Sequence, residues 1–280
     1  MIKLYIKNII NIFFKILLKI KFFRSFVRLL NKSQFDNYET IKFSNFEIKF
    51  SNPNNITDWR IKTFNSKEPE TLDWISKFSS NSTFWDIGAN IGQYSIYAAK
   101  KINNINVISF EPSVFNLEIL ARNIYINNLD NISIMSLPIF DKIENNYFSL
   151  SNLDWGGALS NFGTNKNWEG DVINTEFSYK TFSLNPIKFI STYNLVYPDY
   201  LKIDVDGVEN IILKSFGQNI KHIKSVLIEV NDNFVSQKND IESFLINNNF
   251  KLIKKEQSEL IKNFPKTFHN SYNQIWNNNE

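Results

Sequence analysis

The period of apolar and polar positions changes several times along the chain, and each change predicts an element. Residues 40–51 (TIKFSNFEIKFS) and 55–64 (NITDWRIKTF) alternate in the strand manner around a Ser-Asn-Pro-Asn-Asn turn, which predicts a β-hairpin. Residues 68–78 (EPETLDWISKF) read as a short helix with acidic residues in its first turn, where the helix dipole favours them. From residue 83 strands and helices alternate. The pattern predicts strands over 83–86 and 106–110 and near 132–136, with helices over 92–101 and 113–127. A variable stretch over 140–185 holds one more strand. A buried strand over 200–206 (YLKIDVD) then leads into helix 208–216, followed by strand 223–230, helix 239–247, strand 250–254 and a last strand over 271–276. Such alternation argues for an α/β fold with a mostly parallel sheet covered on both faces.

The first thirty residues follow another rule. Lys3, Lys7, Asn8, Asn11, Lys15 and Lys19 gather on one side of a helical wheel, and Ile2, Tyr5, Ile9, Ile12, Phe13, Ile16 and Ile20 on the other. Leu4, Phe14 and Leu18 interrupt the polar side. No uncharged run approaches the ~20 residues that span a bilayer, and no small-residue cleavage site follows a clean apolar run. The pattern suits a helix lying in an anionic membrane surface. Packing of the same apolar face on the body or on another subunit is the competing expectation.

Composition sharpens this. The 280 residues suffice for one α/β domain with an N-terminal extension. Boundaries are expected at 1–34 for the basic segment, 35–80 for a hairpin and helix extension, and 81–280 for the main domain. The absence of cysteine excludes disulfides, thiolate metal sites and thiol nucleophiles, and fits a reducing, cytoplasmic setting. Residues 1–30 carry seven basic and no acidic side chains, so the net charge of +3 leaves about −4 for the remainder. An acidic body disfavours nucleic acid as a partner. Peripheral contact with the inner face of a membrane through residues 1–30 is the expectation that the basic segment adds.

Residues 82–100 (STFWDIGANIGQYSIYAAK) place a carboxylate at a strand end before a glycine-bearing turn into a helix, a setting for a polar ligand at a helix N-terminus. Asp86, Glu111 and Asp204 are the three acidic strand ends. Glu111 lies 25 residues after Asp86, where a second-strand acid meets a ribose diol through paired hydrogen bonds. Gly88 and Gly92 allow a tight turn and close backbone approach. Asn90 stands where the dinucleotide fingerprint wants glycine, and Asp86 suits a cation better than a pyrophosphate. A ligand with ribose hydroxyls, an amino group and no phosphate fits; S-adenosylmethionine is one.

Three blocks, FWDIGANIGQYSIYAA, ISFEPSVFNLEILARNIYINNL and LKIDVDGVENIILKSF, resemble the FkbM family of S-adenosylmethionine-dependent methyltransferases, and KEPETLDWI, GGALSNFG and YNQIW extend the resemblance over residues 40–276. It implies a class I methyltransferase (Rossmann-like) fold, with a seven-stranded sheet whose last strand is antiparallel. It implies cofactor contacts at Asp86, Gly88, Asn90 and Gly92, a ribose contact at Glu111, and a position near the adenine at Asp141. The family usually has Glu where Asp206 stands.

Methyl transfer needs an aligned nucleophile, and a base helps when the acceptor is a hydroxyl. Asp204 is the candidate catalytic residue, either taking a proton or binding the methionine part or the acceptor. Asp206, Glu209, Glu229 and Asn231 are candidates for the acceptor side, although Asp206 and Glu209 also suit a cap on the helix from Val208. The trio Asp204, Asp206 and Glu209 could hold Mg²⁺ through oxygen ligands, while the two histidines, His222 and His269, have no ligand spacing, so no metal is assigned. FkbM-like enzymes are associated with O-methylation of sugars and secondary-metabolite hydroxyls, and Trp155, Gly156 and Gly157 could offer a platform for a sugar face. A small-molecule or glycan hydroxyl is the expected acceptor. The rival from another class is a metal-dependent glycosyltransferase using Asp204-Val205-Asp206 as a D-x-D motif; a nucleic-acid methyltransferase and a non-catalytic binding module are the remaining ones.

Overall fold

A computed structural model describes residues 2–164, 172, 174–260 and 269–279, with backbone alone for 2–7, 31–32 and 34–36. The chain opens with helices α1 (Ile2–Leu17) and α2 (Lys21–Asp36), then the hairpin β1 (Tyr38–Lys42) and β2 (Glu47–Ser51). Helices α3 (Asn55–Lys62), α4 (Phe64–Lys67) and α5 (Pro69–Ser76) follow. The expected hairpin therefore closes inside residues 40–51, around Ser44 and Asn45, and the expected second strand over 55–64 is helix. The cause is local. Asn54 accepts the Thr57 backbone N–H at 2.8 Å while the Thr57 hydroxyl accepts the Asn54 N–H at 3.2 Å, a reciprocal cap that outweighs the alternating pattern behind it.

The main unit runs β3 (Thr83–Ile87), α6 (Gln93–Lys101), β4 (Asn106–Phe110), α7 (Val114–Ile126) and β5 (Ile132–Met135). A three-stranded antiparallel insertion of β6 (Asn145–Leu150), β7 (Ser160–Phe162) and β8 (Phe177–Phe182) comes next. The chain then forms α8 (Pro186–Tyr193), β9 (Tyr200–Ile203), α9 (Glu209–Lys214), β10 (Ser225–Asn231), α10 (Val235–Asn247), β11 (Phe250–Glu256) and β12 (Ser271–Asn278). The large sheet has seven strands in the order β11-β12-β10-β9-β3-β4-β5. All pairs from β10 to β5 are parallel, and β12 runs antiparallel to both its neighbours. This is the class I methyltransferase sheet.

Strand alternation sends neighbouring side chains to opposite faces, and each face has its own core. Phe84, Val107, Tyr200 and Leu227 pack with β2, α5 and α6, around Phe50, Trp74 and Tyr97. Trp85, Phe110, Leu201 and Val226 pack on the other face with α8, α9 and α10, around Phe189, Ile212 and Leu245. The outer edge of β2 is closed by side-chain amides of α7. Asn123 and Asn127 accept the Ser51 and Lys49 N–H groups at 2.7 and 2.9 Å, which blunts an edge otherwise open to pairing. Neither core draws on a residue before Ile41 among the described residues, so the described apolar side chains of α1 lie outside both cores. Ile9, Ile12, Phe13 and Ile16 are each more than half exposed.

Candidate active site

β3 ends at Ile87, and the turn to α6 places Gly88 at φ +85°. Gly88 and Ala89 both donate to the Phe110 carbonyl at 3.0 Å, and Asp204 donates to the Ile87 carbonyl at 3.1 Å. The turn is thereby wedged between the ends of β4 and β9. A Cβ on Gly88 would sit 1.9 Å from the Asp204 carbonyl oxygen. Only glycine has room there.

Beyond these strand ends lies a chamber. Gly88, Asn90 and Glu111 form one wall; Phe110, Pro138, Ile139, Phe148 and Phe162 supply apolar surface; Asp204, Val205 and Asp206 close the floor. Glu111 is nearly buried, and its two carboxylate oxygens accept the N–H groups of Asn90 at 2.7 Å and Ser113 at 2.8 Å. Burial pushes its carboxyl up to about 7, although those two N–H groups pull it down. The insertion covers the chamber: the Gly157 carbonyl accepts the side-chain amides of Asn90 and Asn116 at 2.7 and 3.1 Å, and Leu159 donates its N–H to Asp206 at 2.7 Å.

A second chamber opens from the same strip and shares Gly88, Asn90, Ala158, Asp204 and Asp206 with the first. Trp59, Arg60, Lys67 and Glu68 line one side, and Glu229, Glu256, Tyr272 and Asn273 the other. Lys67 and Glu68 are ion-paired. Glu229 has no hydrogen-bond or ion-pair partner for its side chain among the described residues. Burial, then Asp204, Asp206 and Glu209, hold it well above the usual carboxylate range. Asp206 is raised to about 6, chiefly by burial and then by Asp204.

Asp204 stands where the two chambers meet. Its Oδ2 accepts the Lys202 ammonium at 2.9 Å, while Oδ1 has no partner among the described residues. Lys202 is itself buried, 3.7 Å from Asp86 and over the Tyr94 ring. Asp86 is fully buried inside β3 rather than at an exposed strand end, and its Oδ2 accepts the Ser95 hydroxyl at 2.6 Å. It lines neither chamber. Its carboxylate meets Lys202 from below, and Lys202 in turn holds Asp204.

The structure thus brings Gly88, Asn90, Glu111, Asp204, Asp206 and Glu229 to the chamber walls and leaves five expected site residues off them. Asp141 is exposed, and its carbonyl holds the Asn185 side chain. Gly92 is the left-handed cap of α6, facing Leu120. Glu209 accepts the Gly207 N–H and the Gln237 side chain, a helix-start role. Asn231 is buried and accepts the Asn233 N–H. Asp86 is the fifth. Trp155 donates to Glu118 on α7 and lines neither chamber, nor does Gly156, while Gly157 and Ala158 line the first. No three His, Cys, Asp or Glu side chains among the described residues are grouped to hold a metal ion. Arg60, Trp59, Asn116, Phe148 and Phe162 were not singled out from sequence; Asn54 capping α3 was the available signal for the first two.

Comparison with known proteins agrees with this geometry. Residues 86–252 match the family model described as Methyltransferase FkbM domain. The hexuronic acid methyltransferase AglP of Haloferax volcanii is 22% identical over 172 residues, covering 61% of this chain and 65% of that protein. The methyltransferase sdnD of Sordaria araneosa is 35% identical over 54 residues, 19% of this chain and 21% of that protein. The match thus spans less than two thirds of either relative. A solved Streptococcus mutans structure, provisionally described as a SAM-dependent methyltransferase, superimposes with a TM-score of 0.50 at 10% identity, covering 86% of this chain and 55% of that one.

Proposed function

The chain belongs to the FkbM family of S-adenosylmethionine-dependent methyltransferases, and we propose from that premise that it methylates a hydroxyl of a sugar, a glycan or a glycan precursor. The observation that carries this reading is the pair of chambers meeting at Gly88, Asn90, Ala158, Asp204 and Asp206. The first fits an adenosine. Glu111 offers carboxylate oxygens to a ribose diol, and Pro138, Ile139, Phe148 and Phe162 offer an apolar slot to a base. The second is lined by aromatic rings and by groups that accept and donate hydrogen bonds, as a polyol requires. The name of the archaeal relative, a hexuronic acid methyltransferase, supports a sugar.

When bound, the cofactor supplies a methyl group on a sulfonium centre. The chain's own part is alignment and proton handling. Asp204, fixed by Lys202 with Oδ1 free at the junction, accepts the hydrogen of the acceptor hydroxyl. Glu229, on the wall of the second chamber, hydrogen-bonds another hydroxyl of the acceptor. Asp204→Asn keeps the size and loses the base, so the transfer rate should fall by ~10²–10⁴-fold. The test is mass detection of methylation across hexuronic acids, neutral hexoses, amino sugars and a phenol, with wild type and D204N in parallel. Methylation of the phenol alone, or an unchanged D204N rate, sinks the proposal.

We also propose that the N-terminal helices bind an anionic membrane surface. Among the described residues no helix is long and apolar enough to cross a membrane, yet the apolar side chains of α1 and α2 stand open, with Lys15, Lys19, Lys21, Arg24 and Arg28 among them. Full-length protein should float with phosphatidylglycerol vesicles at low salt, and protein lacking residues 1–36 should stay below. A full-length chain that fails to float and elutes as a dimer, its truncation eluting as a monomer, would instead assign the helices to a second copy.

A further inference from the structure

Among the described residues, Arg60 is the cation that the second chamber leaves unmatched. α3 carries it to the strip between the chambers, and its Nε donates to the Gly156 carbonyl at 2.7 Å. That single bond fixes the plane of the guanidinium. The two Nη groups have no hydrogen-bond acceptor and no carboxylate within ion-pair distance among the described residues. Asp204, Glu68 and Asp206 act on Arg60 electrostatically without contacting it. The other cations near this strip are committed: Lys67 to Glu68, and Lys202 to Asp204. A partly buried guanidinium with both terminal nitrogens open is arranged for a planar, two-oxygen anion.

The surroundings narrow that anion. The second chamber is rich in carboxyl groups, among them Glu68, Glu70, Asp204, Asp206 and Glu256, which disfavour a ligand of net negative charge. A zwitterion meets both conditions, its carboxylate on Arg60 and its ammonium toward the flanking carboxylates. The methyl donor ends in such a group, and its adenosine end is already placed by Glu111 in the adjoining chamber. We infer that Arg60 binds the carboxylate of the methionyl tail of S-adenosylmethionine, an inference that rests on the cofactor assignment and not on the identity of the acceptor.

Calorimetric titration with two ligands that differ only in the carboxylate tests this. One is S-adenosylhomocysteine, the other its decarboxylated analogue, S-adenosyl-3-thiopropylamine. The wild-type protein should prefer the first by about 10- to 100-fold, the scale of a charge-assisted pair. Arg60→Gln should erase that preference while leaving the affinity for the amine unchanged, and Arg60→Lys should restore part of it. Equal weakening of both ligands by R60Q overturns the inference, because Arg60 would then act only as the pin on Gly156. An unchanged preference overturns it too, and frees Arg60 for a carboxylate on the acceptor. Failure of wild type to bind either ligand would strike the cofactor assignment itself, separately from the role of Arg60.

Discussion

Glu111→Ala is expected to abolish measurable binding of S-adenosylhomocysteine. In the intact protein the Glu111 carboxylate takes the N–H groups of Asn90 and Ser113 and still faces the chamber. Truncation removes the acceptor for the ribose diol and leaves two N–H groups in a nearly closed site. Each lost bond to a charged group is worth about 1.5–3 kcal/mol, so affinity should fall by roughly a thousand-fold or more. Glu111→Gln keeps an oxygen and should lose less. The ionisation of this group gives a second signature. Burial raises it to about 7 in the free protein, and a diol that donates hydrogen bonds favours the carboxylate. Binding therefore drives the proton off: affinity should be level above about 7 and fall by up to tenfold per pH unit below it. Glu111→Gln should flatten that profile. Titrations from acid to mildly alkaline pH, with a thermal melt to confirm folding at each point, measure both effects. Wild-type affinity in E111A, or the same pH slope in E111Q, would remove Glu111 from the cofactor site.

The contrast between Glu111 and Asp86 shows how much of the site the sequence carries. Both were read as acids at strand ends, and the strands are where the pattern put them. What a one-dimensional pattern lacks is depth. β3 continues through Ile87, so Asp86 is one step inside the strand, and the parallel register sets it directly beside Lys202. A carboxylate there answers a buried lysine. Glu111 follows the last residue of β4 and reaches the chamber. A difference of one residue in where a strand ends decides between support and contact.

Residues that arrive from distant segments were less legible for a related reason. Arg60 and Trp59 lie on α3, whose alternating pattern imitates a strand until the Asn54–Thr57 cap is weighed. Phe148 and Phe162 come from the antiparallel insertion, where only one strand was expected and three are present. Their role depends on the insertion folding back over the strand ends through Gly157 and Leu159. Long-range closure of that kind leaves no periodic trace. Local turns do, and the family blocks around Gly88, Glu111 and Asp204 sit on turns.

Gly88→Ala should be strongly destabilising. The residue sits at φ +85°, where a side chain costs about 1–2 kcal/mol before any contact is considered. The added Cβ would meet the Asp204 carbonyl oxygen at 1.9 Å and its carbon at 2.9 Å. Both are backbone atoms of a chain tied to β3 by the Asp204-to-Ile87 hydrogen bond, so no rotamer relieves the clash. The junction must open, loosening that bond and the pair donated to Phe110. With about 1 kcal/mol for each of the three bonds weakened, the total reaches roughly 4–5 kcal/mol, a large part of a typical 5–15 kcal/mol stability. Gly92→Ala is the control at a similar φ of +83°. Its Cβ would meet the Leu120 Cδ1 at 2.3 Å, the movable end of a side chain, so the loss should be smaller. Urea denaturation of both variants, followed by titration with S-adenosylhomocysteine, separates the cases. G88A should unfold at much lower urea and lose the ligand because Gly88 and Asp204 share the wall between the chambers. A wild-type midpoint with intact binding would mean that β3 and β9 can part at this junction, and that its tightness does not define the site.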